Sequence, residues 1–398
     1  LVAGGNKTVV TSKEIYFGVV GIETVRTILA LTAMDEDLKV VAADIGNAFL
    51  YGKNKEKTMI RAGPEFGQLS GELLIVEGGW YGHKTAAPTF HSHVLAQLHL
   101  LGFRPSKADL DLWIRKKDDG SYEYLASYVD DIIVISTDPM SIIEKLRETY
   151  ILKGVGTPEN YLGGNFHQLK DPMLNAMHIK TALSVKTYIG NSVEKFERMF
   201  EHSMRESKYP MAEGYHPELD DTMLLDDSMS TKYRAIIGSL NWTVILGRFD
   251  VMYATNTLAR FSMAPRLGHL EAAKRILGYL KKHPEYRILL NPNHLDMAKA
   301  VETFPEYNSW CEFYPEAEEV VPEDRPEPTP GRKAQITVLV DADHAHCAVT
   351  RRSIMGILVF VNSTPVRWYS KLQRTVETST YWVRIGSSKD SHRYHNGI

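Results

Sequence analysis

The sequence has little that would tie it to a membrane, an oxidising compartment or, taken as a whole, a nucleic acid. Only two of its 398 residues are cysteine, Cys311 and Cys347, which excludes a disulfide framework and a cysteine-based metal site and fits a reducing compartment. No apolar run approaches the ~20 residues needed to span a bilayer, and no secretory signal is read at the start. The net charge is −3, so there is no global basic footprint and any attraction for phosphate must come from local patches. No internal repeat is seen. Apolar residues are plentiful, at 43% against 24% charged. That is the composition of a soluble globular chain, and the length calls for two or three domains.

The richest stretch is Tyr128-Val129-Asp130-Asp131-Ile132-Ile133-Val134-Ile135. Two aspartates interrupt runs that otherwise read as buried strand, and carboxylates resist leaving water. A hairpin whose tight turn presents Asp130 and Asp131 at a sheet edge reconciles the two demands. Two readings then compete. Asp is common in turns for local hydrogen-bonding reasons; equally, paired carboxylates suit a hard cation such as Mg²⁺, the arrangement of phosphoryl or nucleotidyl transfer. A third carboxylate would strengthen the second reading. Asp44 is the candidate, at the end of the predicted strand 39–43 and just before a compact turn and Phe49. Alone, it reads as a solvated strand-end residue; beside the hairpin, it would let Asp44 and Asp130 share two cations.

Around these residues the spacing predicts a helix over 25–38, short strands at 59–61 and 73–76, and a helix over 88–101 capped by Gly102. Strands follow at 110–114, 122–129 and 132–136, the first two joined by a turn at Lys117-Asp118-Asp119-Gly120. Asp138-Pro139 opens a helix over 141–150. This alternation predicts an α+β fold, an antiparallel sheet layered by helices. Residues 231–283 read as mostly helical, with a basic amphipathic stretch at 271–282. An acidic, Pro-rich run at 318–331 reads as an extended tether, and strands at 336–340 and 357–361 belong to a separate unit. Segment 1–20 is not assigned.

Taken together the motifs closely resemble the reverse transcriptase of copia-type LTR retrotransposons. The resemblance runs through VAADIGNAFLYG (41–52), WYGHKTAAPTFHSH (80–93), GFRPSKADLDLWIR (102–115), YVDDIIVIS (128–136) and YLGGNF (161–166). It continues through YRAIIGSLNW and GRFD (233–250) and RFSMAPRLGHLEAAKRILGYL (260–280). It implies an RNA- and DNA-templated DNA polymerase with a right-hand palm, an antiparallel sheet with packed helices. Partial fingers and palm would occupy 1–165, a helical thumb/connection 166–311, an acidic linker 312–333 and a truncated ribonuclease H-like α/β unit 334–398. Asp44, Asp130 and Asp131 match the three palm aspartates, with the Ile45 carbonyl as a further metal ligand and Mg²⁺ or Mn²⁺ as cofactor. Ile45, Gly46, Asn47, Ala48 and Phe49 would line the nucleotide pocket, Phe49 packing under the incoming sugar where a ring clashes with a 2′-hydroxyl. On its own pattern, Phe49 reads as a core aromatic. Tyr128 would lie near the primer end, and the turn at Leu162, Gly163 and Gly164 would grip the primer backbone. Lys274, Arg275, Lys281 and Lys282 would contact phosphates, unless they form only a solvated helix face. The partners implied are an RNA or DNA template with primer, deoxynucleoside triphosphates and the remainder of a Pol polyprotein, with no membrane. The implied location is the cytoplasm, in a virus-like particle, or the nucleus.

The sequence also departs from that pattern. Asp341 matches the first metal-binding aspartate of ribonuclease H, but after Thr380-Tyr381 the chain reads Trp382-Val383-Arg384-Ile385-Gly386, where a catalytic glutamate is expected. Glu377 does not replace it, and the polar tail 387–398 brings no further aspartate, so ribonuclease H activity is expected to be absent. The chain begins at Leu1, and Leu1 to Gly5 match the tail of the fingers without the upstream basic residues, as in a polyprotein fragment. Trp80 and His83 stand where the family has leucines, and burying them is expected to cost stability. The competing reading is therefore a non-catalytic degenerate remnant with at most weak nucleic-acid binding.

Overall fold

The computed structural model describes residues 17–54, 56–296, 316 and 333–376. Leu1 to Gly5, the acidic linker apart from Glu316 and Lys333, and the stretch from Glu377 through 380–386 to the tail all lie outside the described residues. Helix α1 spans Ile22–Met34, followed by β1 (Lys39–Ile45), β2 (Met59–Arg61), β3 (Leu73–Ile75) and α2 (Ala86–Leu100). Then come β4 (Arg104–Pro105), β5 (Leu112–Lys116), β6 (Tyr122–Tyr128), β7 (Asp131–Ser136), α3 (Pro139–Arg147) and β8 (Leu152–Gly156). β9 (Asn160–Tyr161), β10 (Gly164–Gln168), α4 (Pro172–Ala176), β11 (Thr181–Ser184) and α5 (Lys186–Phe200) lead to helices α6 (Asp227–Leu246), α7 (Met252–Ala259) and α8 (Leu267–Lys282). β12 (Arg287–Leu289), β13 (Ile336–Ala342), β14 (Ile354–Val361) and β15 (Thr364–Leu372) complete the order.

The predicted α+β class holds: antiparallel sheets are layered by helices. The main sheet runs β4-β5-β6-β7-β1-β8, so β1 lies between β7 and β8. Its period-2 alternation serves two cores. Val41, Ala43 and Ile45 with Ile132 and Val134 pack under α2 and α3, against Phe90, Val94, Leu98, Ile142 and Leu146. On the other face, Val40 and Ala42 with Ile133 and Ile135 meet α1 through Val25, Ile28 and Leu29. Tyr161 and Leu290 extend that second core to the neighbouring sheet, β12-β11-β10-β9.

Helix α1 starts and stops earlier than its spacing predicts. Asp35, Glu36 and Asp37 follow Met34, and carboxylates at a helix C-terminus oppose the macrodipole; Asp35 is already extended, at φ −128° and ψ 110°. Helix α2 ends as expected. Gly102 takes φ 85°, its N–H bonds the His99 carbonyl and the Phe103 N–H bonds that of Leu98, a Schellman closure.

Helices α5 to α8 form their own core around Phe196, Tyr233, Leu240, Leu258 and Ile276. The three-stranded sheet β13-β14-β15 is expected as a separate unit, yet it shares a core with α1. Met355, Ile357, Val359 and Val366 pack on Ala30 and Met34. Arg26 closes that seam from a buried position. Its Nε donates to the Val366 carbonyl at 2.7 Å, its Nη1 to the Ile245 carbonyl at 2.7 Å, and its guanidinium lies 4.0 Å from the centre of the Trp368 ring. Burial lowers its pKa to about 9.

Candidate active site

Asp44 and Asp131 face each other as Cα partners at one end of the β1–β7 ladder. Asp44 continues the line of Val40 and Ala42, and Asp131 begins the line of Ile133 and Ile135, so the period of the strands puts both carboxylates on the α1 face. Asp130 sits in the turn. Tyr128 pairs with Asp131, leaving Val129 and Asp130 as a two-residue loop. The backbone N–H of Ile45 donates to the Asp130 carbonyl at 2.8 Å, which ties the turn to β1. Val129 adopts φ 58°, a costly conformation for a β-branched residue, of the kind that concentrates at functional sites. The expected hairpin and the expected third carboxylate are thus both found at one sheet edge.

All three aspartates are half-buried. Among the described residues, no hydrogen bond or ion pair engages their side chains. Burial, then the charges of Asp130 and Asp44, hold the Asp131 carboxyl above the ordinary carboxylate range. Nor do the three form a closed ligand shell: among the described residues, no group of three or more His, Cys, Asp or Glu is gathered so as to hold a metal ion. The donor set itself suits a hard divalent cation. It consists of oxygen ligands only, carries three carboxylates that no ion pair engages among the described residues, and is open enough for water and phosphate oxygens to complete the coordination.

The turn after β1 carries Gly46 to Phe49, the residues expected to line a nucleotide pocket. Gly46 N–H bonds the Ile151 carbonyl at 2.8 Å, Asn47 is left-handed at φ 56°, and Ala48 is buried. Phe49 is half-buried, its ring 4.8 Å from that of Tyr81 and 6.1 Å from that of Phe90. Tyr81 was not singled out by sequence reasoning, although it lies inside the WYGHK stretch beside Gly82. Its phenol pKa is raised by burial, then by the charges of Asp130 and Asp44.

On the other side stands the β9–β10 hairpin. Its two loop residues, Leu162 at φ 51° and Gly163 at φ 87°, take the positive φ that a type I′ turn demands, at ease for glycine and strained for leucine. Tyr161, immediately before it, is a second residue that sequence reasoning missed. Its phenol pKa is raised by burial, then by Asp131 and Tyr128, and its hydroxyl has no hydrogen-bond partner among the described residues. Tyr161 and Leu162 share a core with Tyr128, the residue that pairs with Asp131.

Other expected site residues lie elsewhere. Lys274 on α8 pairs with Glu271 at 2.8 Å and lies over the Phe200 ring, while Arg275 donates to the Tyr209 carbonyl at 3.3 Å. Both belong to the helical layer. Asp341 is exposed on β13, and its carboxylate accepts from the Ala342 N–H at 2.8 Å. His83 is buried as expected but is not stranded, since Nδ1 lies 2.8 Å from the Thr85 hydroxyl and Nε2 faces Glu56 at 3.8 Å.

The model of the family described as reverse transcriptase (RNA-dependent DNA polymerase) matches residues 2–205, half of the chain and all of the carboxylate site. The chain belongs to the reverse transcriptase family. This reverse transcriptase-family chain is 30% identical over 246 residues to a putative Ty5-1 transposon protein of Saccharomyces cerevisiae, covering 60% of this chain and 74% of that one. It is 25% identical over 374 residues to the retrovirus-related Pol polyprotein from transposon RE1 of Arabidopsis thaliana, covering 92% of this chain and 22% of the polyprotein. A similar polyprotein from transposon TNT 1-94 of Nicotiana tabacum is 26% identical over 284 residues, 67% of this chain and 20% of that one. The chain thus spans about a fifth of the length of these Pol polyproteins. No helix among the described residues is long and apolar enough to cross a membrane.

Proposed function

We propose that this reverse transcriptase-family chain carries a nucleotidyl-transfer site formed by Asp44, Asp130 and Asp131, which extends a primer on an RNA or DNA template with deoxynucleoside triphosphates. The observation that carries the reading is that Asp44 and Asp131 pair across the end of the β1–β7 ladder with Asp130 in the adjoining turn, none of the three engaged by a side-chain partner among the described residues. Asp44 has Lys153 as its partner on β8 but Asp131 as its partner on β7, and like charges directly opposed across a ladder cost stability that a bound cation would offset. Asp44, Asp130 and the Ile45 carbonyl would hold Mg²⁺ or Mn²⁺. Such ions, when bound, activate the attacking hydroxyl and stabilise the leaving pyrophosphate.

The chain's own residues do the rest. The six-stranded sheet with α1, α2 and α3 is read as the palm, and α5 to α8 as thumb and connection. Phe49, held against Phe90, presents a ring to the incoming sugar. Tyr128, opposite Asp131, borders the primer end, and the turn at Leu162, Gly163 and Gly164 lets a primer backbone approach closely. Lys274 and Arg275 would reach template phosphates only from the helical layer. The sheet β13-β14-β15 is read as ribonuclease H-like, with no step assigned to Asp341.

The test is extension of oligo(dT) on poly(rA) by the chain in Mg²⁺ or Mn²⁺, with gel-shift binding of the same duplex measured in parallel. The reading expects extension that Asp44→Asn abolishes. Binding without extension would instead support a degenerate remnant.

A further inference from the structure

Phe49 does not hold its orientation alone. After β3 the chain returns as a loop whose backbone is pressed against the turn at 49–52. Gly78 bridges Lys53, and the Gly79 N–H bonds the Gly52 carbonyl at 2.6 Å. A Cβ on Gly79 would come within 2.3 Å of the Phe49 carbonyl oxygen, so that position requires a residue without a side chain, and one on Gly78 would be tight, at 3.2 Å from that of Leu50. The loop then closes on itself: the His83 N–H bonds the Trp80 carbonyl at 2.9 Å, and Gly82 takes φ 84°. Tyr81 stands at its apex. Its ring meets Phe49 at 4.8 Å with 57° between the planes, while the buried Phe90 meets Phe49 edge-on at 6.1 Å and 77°. The Phe49 ring is thereby in contact with two other rings, one on α2 and one on the glycine-anchored loop.

We propose that Tyr81 is a positioning residue for sugar discrimination: by fixing the Phe49 ring it sets how strongly the site prefers a deoxynucleotide to a ribonucleotide. The inference rests on the polymerase reading and on Phe49 as the residue that meets the sugar. Phe90 limits the ring from α2, whose core is packed. Tyr81 limits it from the loop that Gly78 and Gly79 anchor to the turn at 49–52 and that the His83 side chain ties to Thr85, so the selectivity is adjustable from the loop. The ring of Tyr81, not its hydroxyl, is the working part.

The test compares Tyr81→Leu, Tyr81→Phe and Gly79→Ala in the full chain. The measured quantity is the ratio of kcat/KM for dTTP to that for rUTP on poly(rA)/oligo(dT). A second readout uses Ca²⁺ in place of Mg²⁺ and compares equilibrium binding of the two nucleotides without turnover. Tyr81→Leu should lower the ratio about five- to tenfold, the scale of losing one aromatic pair. Gly79→Ala, which displaces the loop, should do the same, and Tyr81→Phe should stay within about twofold of the parent. A folded Tyr81→Leu or Gly79→Ala protein that weakens both nucleotides equally, leaving the ratio unchanged, would overturn the inference while leaving the polymerase reading intact. A parent chain that neither binds nor incorporates dTTP would overturn both.

Discussion

Replacing Asp131 by asparagine should stabilise the protein, because the carboxylate sits in a field that opposes it. It faces Asp44 across the ladder and follows Asp130 in the turn. Like charges directly opposed on neighbouring strands cost roughly 0.2–1 kcal/mol, so relieving the Asp44 contact contributes on the order of 0.2–1 kcal/mol at low salt. At about 2–4 °C per kcal/mol, the melting temperature should rise by about 0.5–4 °C. The pH dependence has a definite sign. Asp131 titrates above the ordinary range in the folded protein, so the native state binds its proton more tightly than the unfolded chain does. Its contribution is therefore fully present below the unfolded value of about 4, and is lost as pH rises through the folded value. Parent and variant should melt together near pH 3.5, if both remain folded there, and diverge toward neutrality. Mg²⁺ or Mn²⁺ provides the second arm. A cation bound only by the native state adds about 2.7 kcal/mol at one hundred times its dissociation constant, and Asp131→Asn should reduce that gain. Thermal melting across pH, with and without the cation, reads both effects. An Asp131→Asn protein that melts below the parent at pH 7, or gains as much from the cation, would refute the reasoning.

Three further outcomes concern the scaffold. Arg115→Met should cost about 3–5 kcal/mol, read by urea unfolding. It strands the buried Glu123 carboxylate, which Arg115 holds through Nε at 2.7 Å and Nη2 at 2.6 Å. Arg26→Met should cost about 2–4 kcal/mol, since the buried carbonyls of Val366 and Ile245 lose a charged donor; Arg26→Lys should recover little, because an ammonium cannot fork and stack as the guanidinium does. Gly278→Ala on α8 should destabilise by about 1–3 kcal/mol through overpacking, despite alanine's better helix propensity, because its Cβ would lie 1.9 Å from the Arg205 carbonyl oxygen; a melting temperature at or above the parent's would refute it.

Much of the site was legible because its determinants are local. The apolar runs flanking Asp130 and Asp131 form a hairpin by themselves, and β1 delivers Asp44 by simple alternation. What was not legible is non-local. No pattern in Thr181–Ser184 or Arg287–Leu289 shows that these strands pair with each other in the sheet whose far strand, β9, carries Tyr161. Nor does an arginine inside an amphipathic helix reveal that it bridges α1, α6 and β15, as Arg26 does. Tyr81 lay within a quoted motif, but only the contact with Phe49 gives it a role. The basic residues of α8 show the opposite case: Lys274 looks free in sequence and is engaged by Glu271 and Phe200 in the fold.

The central claim is that the aspartates at the end of the β1–β7 ladder perform nucleotidyl transfer. Incorporation of a single labelled dTMP on poly(rA)/oligo(dT) in Mg²⁺ or Mn²⁺, by the parent chain and by Asp130→Asn, tests it most directly. The account predicts incorporation by the parent and a loss of at least about a thousandfold in the variant, a fall of about 4 kcal/mol in transition-state stabilisation. Equal incorporation by both, or none by a folded parent chain that binds the duplex, would contradict it.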